Sequence, residues 1–282
     1  MINDELASAD AVVGGSRPGP SSYDVQISIK EATKTFTTKS GPLQALDRVS
    51  ADIDKGELVC IVGPSGCGKT TLLWAMAGLH ALTSGQVVLE GEPVEGPRPD
   101  KIGMIFQDAN LLPWRNVRRN LEFPFEIKRQ APARDRIAAL LEQTGLTGFE
   151  AAFPRELSGG MQQRVSIVRA LAQEPSVLLM DEPFGALDAF TRDEMNMLLL
   201  RLWSEKVGQT IVFVTHNISE AIFLAGRVLV LTPRPGRLSH LFEIPLPRPR
   251  TLEMMFEPDF HELVQQIKST VESSVGRTKE EE

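Results

Sequence analysis

The sequence predicts an α/β fold built on a largely parallel sheet, and three observations carry that expectation. First, Leu58-Val59-Cys60-Ile61-Val62 is a short apolar segment; a glycine-rich loop follows, and then Leu72-Leu73-Trp74-Ala75-Met76-Ala77, good helix-forming sequence. That is a strand–loop–helix unit. Second, Val177-Leu178-Leu179-Met180 and Thr210-Ile211-Val212-Phe213-Val214 are near-continuous apolar runs, the pattern of strands covered on both faces in a parallel sheet. Third, several apolar runs end on their C-terminal side in polar or glycine residues: Gly63, Gln107, Asp181 with Glu182, and His216. In open α/β sheets ligands bind along that edge.

The loop is Gly63-Pro64-Ser65-Gly66-Cys67-Gly68-Lys69-Thr70-Thr71, which fits G-x-x-x-x-G-K-[ST]. Each residue type has a task. The glycines let the backbone bend and turn its N–H groups onto phosphates. The helix that follows adds its positive N-terminal end. Lys69 reaches the outer phosphates as a point charge, and Thr70 offers a hydroxyl to Mg²⁺. A chance glycine-rich turn would lack both the Lys-Thr pair and the strand and helix on either side.

Composition bounds the rest. The chain has 282 residues, 42% hydrophobic and 24% charged, enough to bury a sizeable core. A net charge of −7 argues against a broad nucleic-acid surface. The two cysteines, Cys60 and Cys67, lie in the apolar strand and the glycine loop, which suits a reducing, cytosolic setting rather than a disulfide. No apolar run approaches the ~20 residues of a membrane span, and no signal-peptide pattern opens the chain. Work at a membrane would therefore need another chain to span it.

Taken in order, residues 1–22 are small, polar and rich in Gly, Pro and Ser, and predict a flexible leader. Val25, Ile27 and Ile29 alternate with polar residues as in a half-buried strand. Phe36 is expected to be a strand residue packing on a core, with an aromatic plate for an adenine ring as the sharper alternative. Leu46–Ile53 is a second strand, and Asp54-Lys55-Gly56 a turn. Beyond the glycine loop and its helix, Thr83-Ser84-Gly85 turns into a strand at Gln86–Leu89. Pro93–Asp100 is a surface loop. Ile102–Phe106 is apolar and ends at Gln107, which could touch a Mg²⁺-bound water. Leu111-Leu112-Pro113-Trp114 is core by default and a partner surface if exposed. Residues 115–157 are expected to be helical, with Gly145 closing one helix.

Ser158 is a natural N-cap for a helix whose apolar face holds Val165, Val168, Leu171 and Ala172. With Gly159 and Gly160 it also forms a possible anion site at that helix N-terminus. Asp181 and Glu182 close the buried run 177–180. Adjacent acids there are costly unless they hold something, so Mg²⁺ is assigned to Asp181 and general-base work to Glu182. Pro183–Asp188 is a loop and 189–206 a helix with Met195, Leu198, Leu199 and Leu202 inward. His216 ends the next strand, where the shared sheet edge makes it a γ-phosphate contact. Val228–Leu231 is a further strand and Ile244–Arg250 an extended Pro/Arg stretch. Phe260, Leu263, Val264, Ile267 and Val271 form a helical stripe, capped near Asp259 and packed back on the body. Residues 279–282 are expected to fray.

Gly63–Thr70, Gln107, Leu157-Ser158-Gly159-Gly160-Met161-Gln162-Gln163, Val177–Glu182, Ala186-Leu187-Asp188 and His216 resemble, in order and spacing, the motif set of ABC transporter ATPase subunits. The resemblance covers roughly residues 25–240. Phe106–Trp114, Asp181–Arg192 and Ser219–Ala225 are similar to the branch serving nitrate, aliphatic sulfonates and taurine. The resemblance implies a P-loop NTPase (RecA-like) core with an N-terminal antiparallel β subdomain and an α-helical subdomain inserted at about 108–172. The ATPase domain would span 23–240, with a C-terminal extension over 241–282. It implies ATP and Mg²⁺ as cofactors. Phe36, where the family more often has Tyr, would stack on adenine. Ser158, Gly159 and Gly160 would contact the γ-phosphate of ATP bound to the opposite copy of a homodimer, and Asp188 would lie at the seam. Gln107 to about Arg129 would face integral membrane permease subunits, with a solute-binding protein on the far side and this chain peripheral on the cytoplasmic face of the membrane. The competing class, a soluble ABC ATPase acting on nucleic acid or ribosomes, usually carries two cassettes or a long coiled-coil insert; this chain has one cassette, no heptads and an acidic balance.

Overall fold

In the computed structural model the described residues are 25–205 and 208–280. The leader expected over 1–22 lies outside them, as do residue 206 of the helix expected over 189–206 and the last two residues of the expected frayed end. The chain runs β1 (Val25–Thr38), β2 (Gly41–Asp54), β3 (Leu58–Val62), α1 (Lys69–Met76), β4 (Ser84–Leu89), β5 (Glu92–Pro93), β6 (Ile102–Ile105), α2 (Val117–Lys128), α3 (Arg134–Gln143), α4 (Gly159–Leu171), β7 (Val177–Asp181), α5 (Ala189–Glu205), β8 (Thr210–Val214), α6 (Ile218–Leu224), β9 (Arg227–Leu231), β10 (Leu238–Glu243) and α7 (Pro258–Glu280).

The apolar runs pair in the order β10-β9-β3-β8-β7-β6. Every neighbour from β9 to β6 is parallel, and β10 alone runs antiparallel. Every residue of β3, β7, β8 and β9 is buried, because alternate side chains enter two different cores. Val59 and Ile61 of β3 face Leu72, Leu73 and Met76 of α1 and the inner side of the first sheet, where Ile27, Ile29 and Leu46 sit. Cys60 and Val62 face the other way, among Met195, Leu199, Phe223, Phe260 and Ile267. The antiparallel sheet β2-β1-β4-β5 thus covers one side of α1, and α5, α6 and α7 cover the far face of the parallel sheet. The α/β class, with a second, antiparallel sheet, is the one expected.

The helical segment between β6 and β7 has its own core. Val117, Leu121 and Phe125 of α2 meet Ile137 and Leu141 of α3, and Val165 and Val168 of α4. Only part of 115–157 is helical, however. Arg129 adopts φ 54° and ends α2, and α3 stops at Gln143 ahead of Gly145 at φ 67°. The chain then runs through turns to a single 3-10 turn at Pro154–Glu156. The left-handed residues and the prolines break what polar composition alone suggested was continuous. The stretch from 238 to 243, which carries no clean alternation, is strand because β9 offers it an edge. The C-terminal stripe forms α7, which opens at Pro258, one residue ahead of Asp259, and buries Phe260 and Ile267 against the body.

A buried ion pair locks the two sheets together. The Arg227 guanidinium at the start of β9 forks onto both oxygens of Glu57 and donates to the Asp52 carbonyl at 2.9 Å. Losing Arg227 leaves the Glu57 charge largely shielded from water and unpaired from this guanidinium, so Arg227→Met is expected to lower unfolding free energy by about 2 kcal/mol, below the cost for a fully buried pair. Urea denaturation checks this, and Glu57→Gln added to Arg227→Met should recover most of the loss.

Candidate active site

The strand ends gather their polar residues at one edge of the parallel sheet. The loop after β3 closes tightly: Gly68 adopts φ 103°, and a Cβ there would stand 2.8 Å from the Ala45 carbonyl oxygen. Only glycine combines that backbone angle with that approach. The loop leads directly into α1, whose first residue is Lys69. The Lys69 ammonium is buried and folds back to donate to the Gly63 and Pro64 carbonyls at 3.0 and 3.2 Å. Pro64, Ser65 and Gly66 form the outer bend of the loop, and Thr71 lies in the first turn of α1. Burial pushes the Cys67 thiol up, so it sits in the loop as a neutral group.

Thr70 Oγ1 donates to Asp181 Oδ1 at 2.9 Å, across from the end of β7. Asp181 is only 7% exposed. Burial raises its carboxyl above the usual carboxylate range, and the Thr70 hydrogen bond opposes that only in part. A desolvated carboxylate beside a hydroxyl is a hard oxygen donor pair, which fits Mg²⁺: that ion uses one or two protein oxygens and completes its shell with phosphate oxygens and water. Among the described residues no group of three or more His, Cys, Asp or Glu side chains forms a self-sufficient metal cage.

Glu182 follows with φ 44°, a left-handed angle for a non-glycine residue, held by its N–H donating to Val214 of β8 at 3.0 Å. That turn aims the carboxylate at His216, whose Nδ1 lies 2.8 Å from Glu182 Oε2. With the carboxylate ionised, Nδ1–H is the donor and Nε2 is left free. Gln107, exposed after β6, comes into the same space: a Cβ on Gly185 would stand 3.7 Å from Glu182 Oε2 and 3.8 Å from Gln107 Nε2. The structure therefore brings together Lys69, Thr70, Asp181, Glu182, His216 and Gln107.

The remaining candidates stand apart. Ser158 caps α4, its Oγ accepting from the Met161 N–H at 3.3 Å. Gly160 packs against α5 so closely that a Cβ would meet Thr191 Cγ2 at 2.7 Å. Among the described residues no hydrogen bond links the Ser158–Gly160 turn to the glycine loop of the same chain. Asp188 is exposed and caps α5; the Thr191 N–H and hydroxyl hold its carboxyl below the usual range. Phe36 is half-buried rather than core. Its ring meets His80 edge-on at 5.8 Å, and Lys34 Nζ lies 5.0 Å from its centroid. A strand residue at the sheet's outer turn finds no second layer to bury it, so the core expectation gives way to an accessible aromatic surface.

Several supporting residues are not evident from sequence. Asn120 is fully buried on α2 and holds the 112–116 turn: it accepts from the Leu112 N–H at 2.7 Å and donates to the Leu112, Arg115 and Asn116 carbonyls. Trp114, 72% exposed, projects from that turn. The signal was an asparagine placed on the apolar stripe of Val117, Leu121 and Phe125. Gln163 and Arg169 of α4 tie the Phe106, Ala109 and Asn110 carbonyls, fastening the segment after Gln107 to the helix that Ser158 caps. Thr215 and Glu220 brace the His216 turn through a 2.5 Å hydrogen bond, and Arg192 holds the Phe184 and Leu187 carbonyls. These have no sequence signature.

Comparisons with known proteins supply the family. The family model described as ABC transporter matches residues 46–185. The chain is 43% identical to the aliphatic sulfonates import ATP-binding protein SsuB of Bacillus cereus, over 80% of this chain and 88% of that one. It is 42% identical to the nitrate import ATP-binding protein NrtD of Synechocystis, over 91% and 98%. The chain belongs to the ABC transporter ATP-binding subunits. Among solved structures, the dimeric post-hydrolysis state of the ATP-binding cassette MJ0796 bound to ADP and Pi matches with a TM-score of 0.69 at 34% identity, covering 78% of this chain and all of that one. The fold is that of an ABC ATPase cassette, and the activity of such subunits is ATP hydrolysis coupled to transport.

The raised Asp181 carboxyl has a consequence for the nucleotide-free protein. Its folded pKa lies above its unfolded value, so the folded state holds the proton more tightly and stability falls as pH rises through that window. Asp181→Asn, which keeps an acceptor for Thr70, is expected to raise the melting temperature without nucleotide at pH 8. Scanning calorimetry should find that gain shrinking towards pH 4.

Proposed function

We propose that this subunit powers an importer of a small anionic or organic solute of the nitrate or sulfonate kind, and that it works as a head-to-tail homodimer closed around two ATP molecules. The observation that carries the reading is the pair of contacts at one sheet edge, Thr70 on Asp181 and Glu182 on His216, with the glycine loop beside them. Such an edge supplies what phosphoryl transfer needs: donors for the phosphates, a carboxylate for the attacking water and a second group for developing charge.

The chemistry follows from the residues. Backbone N–H groups of Gly63–Thr71 cradle the phosphates, and the Lys69 ammonium exchanges its two carbonyl partners for the outer phosphate oxygens. Phe36 offers its accessible ring to adenine. Thr70 and Asp181, with Gln107 through water, would hold Mg²⁺, which neutralises charge on the β- and γ-phosphates when bound. Glu182 accepts a proton from water as the water oxygen attacks the γ-phosphorus and the bond to the bridging oxygen breaks, releasing ADP. His216 stabilises the charge on the transferring phosphoryl, oriented through Nδ1 by Glu182. Ser158, Gly159 and Gly160 of the second copy, with Asp188 at the seam, complete the γ-phosphate site. That no hydrogen bond among the described residues links that turn to the glycine loop of its own chain supports a partner in trans.

Trp114, with Ile127 at 66% exposure, supports a docking face for membrane permease subunits, and Gln163 and Arg169 give that face a rigid link to α4. A peripheral position on the cytoplasmic side, and a solute-binding protein beyond the membrane, belong to the same reading. The acidic composition and single cassette disfavour a nucleic-acid machine.

Glu182→Gln should keep nucleotide binding, lower turnover by ~10²-fold or more, and elute as a dimer in excess MgATP; a monomer under those conditions would sink the scheme. Trp114→Ala combined with Ile127→Ala should leave the ATPase rate of the isolated subunit unchanged. The same variant should cut co-purification with the permease by at least ~10-fold, as removing exposed aromatic anchors does. A change confined to the ATPase rate would place those residues elsewhere.

A further inference from the structure

A second cationic site lies away from the glycine loop, beneath the Pro/Arg stretch that follows β10. There a cavity of about 240 Å³ is lined by Met197, Leu200 and Trp203 of α5 and by Arg201, Arg248 and Arg250. By liquid volume, ~30 Å³ per molecule, it has room for roughly eight waters.

Its charge is uncompensated. Arg250 is 4% exposed. One of its nitrogens donates to the Ile222, Phe223 and Ala225 carbonyls at 2.6, 3.0 and 2.8 Å, capping the C-terminal end of α6. Its other terminal nitrogen donates to the Ile244 carbonyl at 3.5 Å, and its buried Nε finds no partner. Arg248 donates to the Leu224 carbonyl at 2.7 Å and lies over the Trp203 ring at 4.4 Å. Arg201 donates to the Gln143 carbonyl at 2.7 Å. Among the described residues none of the three is paired with a carboxylate. A helix C-terminus supplies only about half an elementary negative charge, against two guanidiniums at that end and a third at the rim. Burial, and then the neighbouring Arg248, bring Arg250 down to about 10, so it remains a cation at neutral pH while paying for desolvation without a counter-ion. Meanwhile Met197, Leu200 and Trp203 give the cavity an apolar wall. A full counter-charge is missing, and the space for it is present.

We infer that this cavity binds a small organic anion, its acidic head between Arg248 and Arg250 and its apolar body against Met197, Leu200 and Trp203. The Arg248 guanidinium offers the N–H groups not spent on Leu224 to a sulfonate or carboxylate head, and Arg250 adds its unpartnered Nε–H and a second positive charge. The cavity's size limits the body to a single ring or a short alkyl chain. The site uses none of the residues assigned to ATP, so its fate is independent of the proposed function.

The test titrates the full chain, saturated with MgATP so that the glycine loop is filled, with sodium benzenesulfonate. Tryptophan fluorescence and thermal unfolding report binding, since Trp203 lies in the cavity wall and a ligand specific to the folded state raises the melting temperature. The expected result is saturable binding with a rise of a few degrees. Methyl phenyl sulfone, the neutral counterpart, and inorganic sulfate should bind at least ~10-fold more weakly, a 1.4 kcal/mol difference. Arg248→Gln, which keeps a donor for Leu224, should weaken benzenesulfonate by at least ~10-fold. Because changes at Arg250 risk the fold, Met197→Trp, which fills the cavity mouth, serves as the second variant and should abolish binding with an unchanged circular dichroism spectrum and MgATP affinity. Equal binding of the neutral sulfone or of sulfate, an undiminished affinity in Arg248→Gln or Met197→Trp, or no saturation by about 10 mM benzenesulfonate would each overturn the assignment.

Discussion

Strands covered on both faces allow charge only at their ends. In β3, β7, β8 and β9 every residue is buried, and the apolar side chains between the strand ends enter one core or the other; an unpaired carboxylate or imidazole inside either core would cost several kcal/mol. The parallel order brings the C-terminal ends of β3, β6, β7 and β8 to the same edge, so the polar residues that terminate those runs become neighbours. Thr70 meets Asp181 and Glu182 meets His216 although more than thirty residues separate the members of each pair. The sheet itself collects Lys69, Thr70, Gln107, Asp181, Glu182 and His216, and Asp181 is left desolvated enough to favour a cation beside it.

The same sheet transmits as well as collects. Gln107 leaves β6 at the active edge, and the segment after it is fastened by Gln163 and Arg169 to α4, the helix whose cap is Ser158. Asn120 then fixes the 112–116 turn from which Trp114 projects. On the other side Arg192 grips the 184–187 loop next to Asp188, and Glu220 braces the turn carrying His216. Hydrogen bonds thus connect that edge outward in two directions, one to an exposed aromatic face and one to the seam proposed between copies.

Much of this was legible because the signals are local. The glycine loop is written in consecutive residues, the buried strands in uninterrupted apolar runs, α4 in its Ser158 cap and apolar face, and α5 in its apolar face. The stripe from Phe260 to Val271 announced a helix packed on the body. Other features were hidden because they depend on partners distant in sequence. Phe36 looks like core until the sheet is assembled and leaves its ring half-accessible beside His80. The strand at 238–243 has no periodicity of its own and forms because β9 has a free edge. The stop ahead of Gly145 was readable from the glycine itself, whereas the break at Arg129 is set by a left-handed backbone angle that helical composition conceals.

Residue order alone specified the chemical groups: a glycine-rich loop ending in Lys-Thr, an acid pair, a histidine and a capped glycine turn, each set by residue type within a few positions. Tertiary structure decided which of these meet. It joined Thr70 to Asp181 and Glu182 to His216, kept Ser158 outside that hydrogen-bonded group, and set Arg248 and Arg250 around a cavity with no carboxylate to balance them. The physical reason is that bond geometry and turn preference act between neighbours in the chain, whereas burial and charge compensation are settled only when remote segments share the same space.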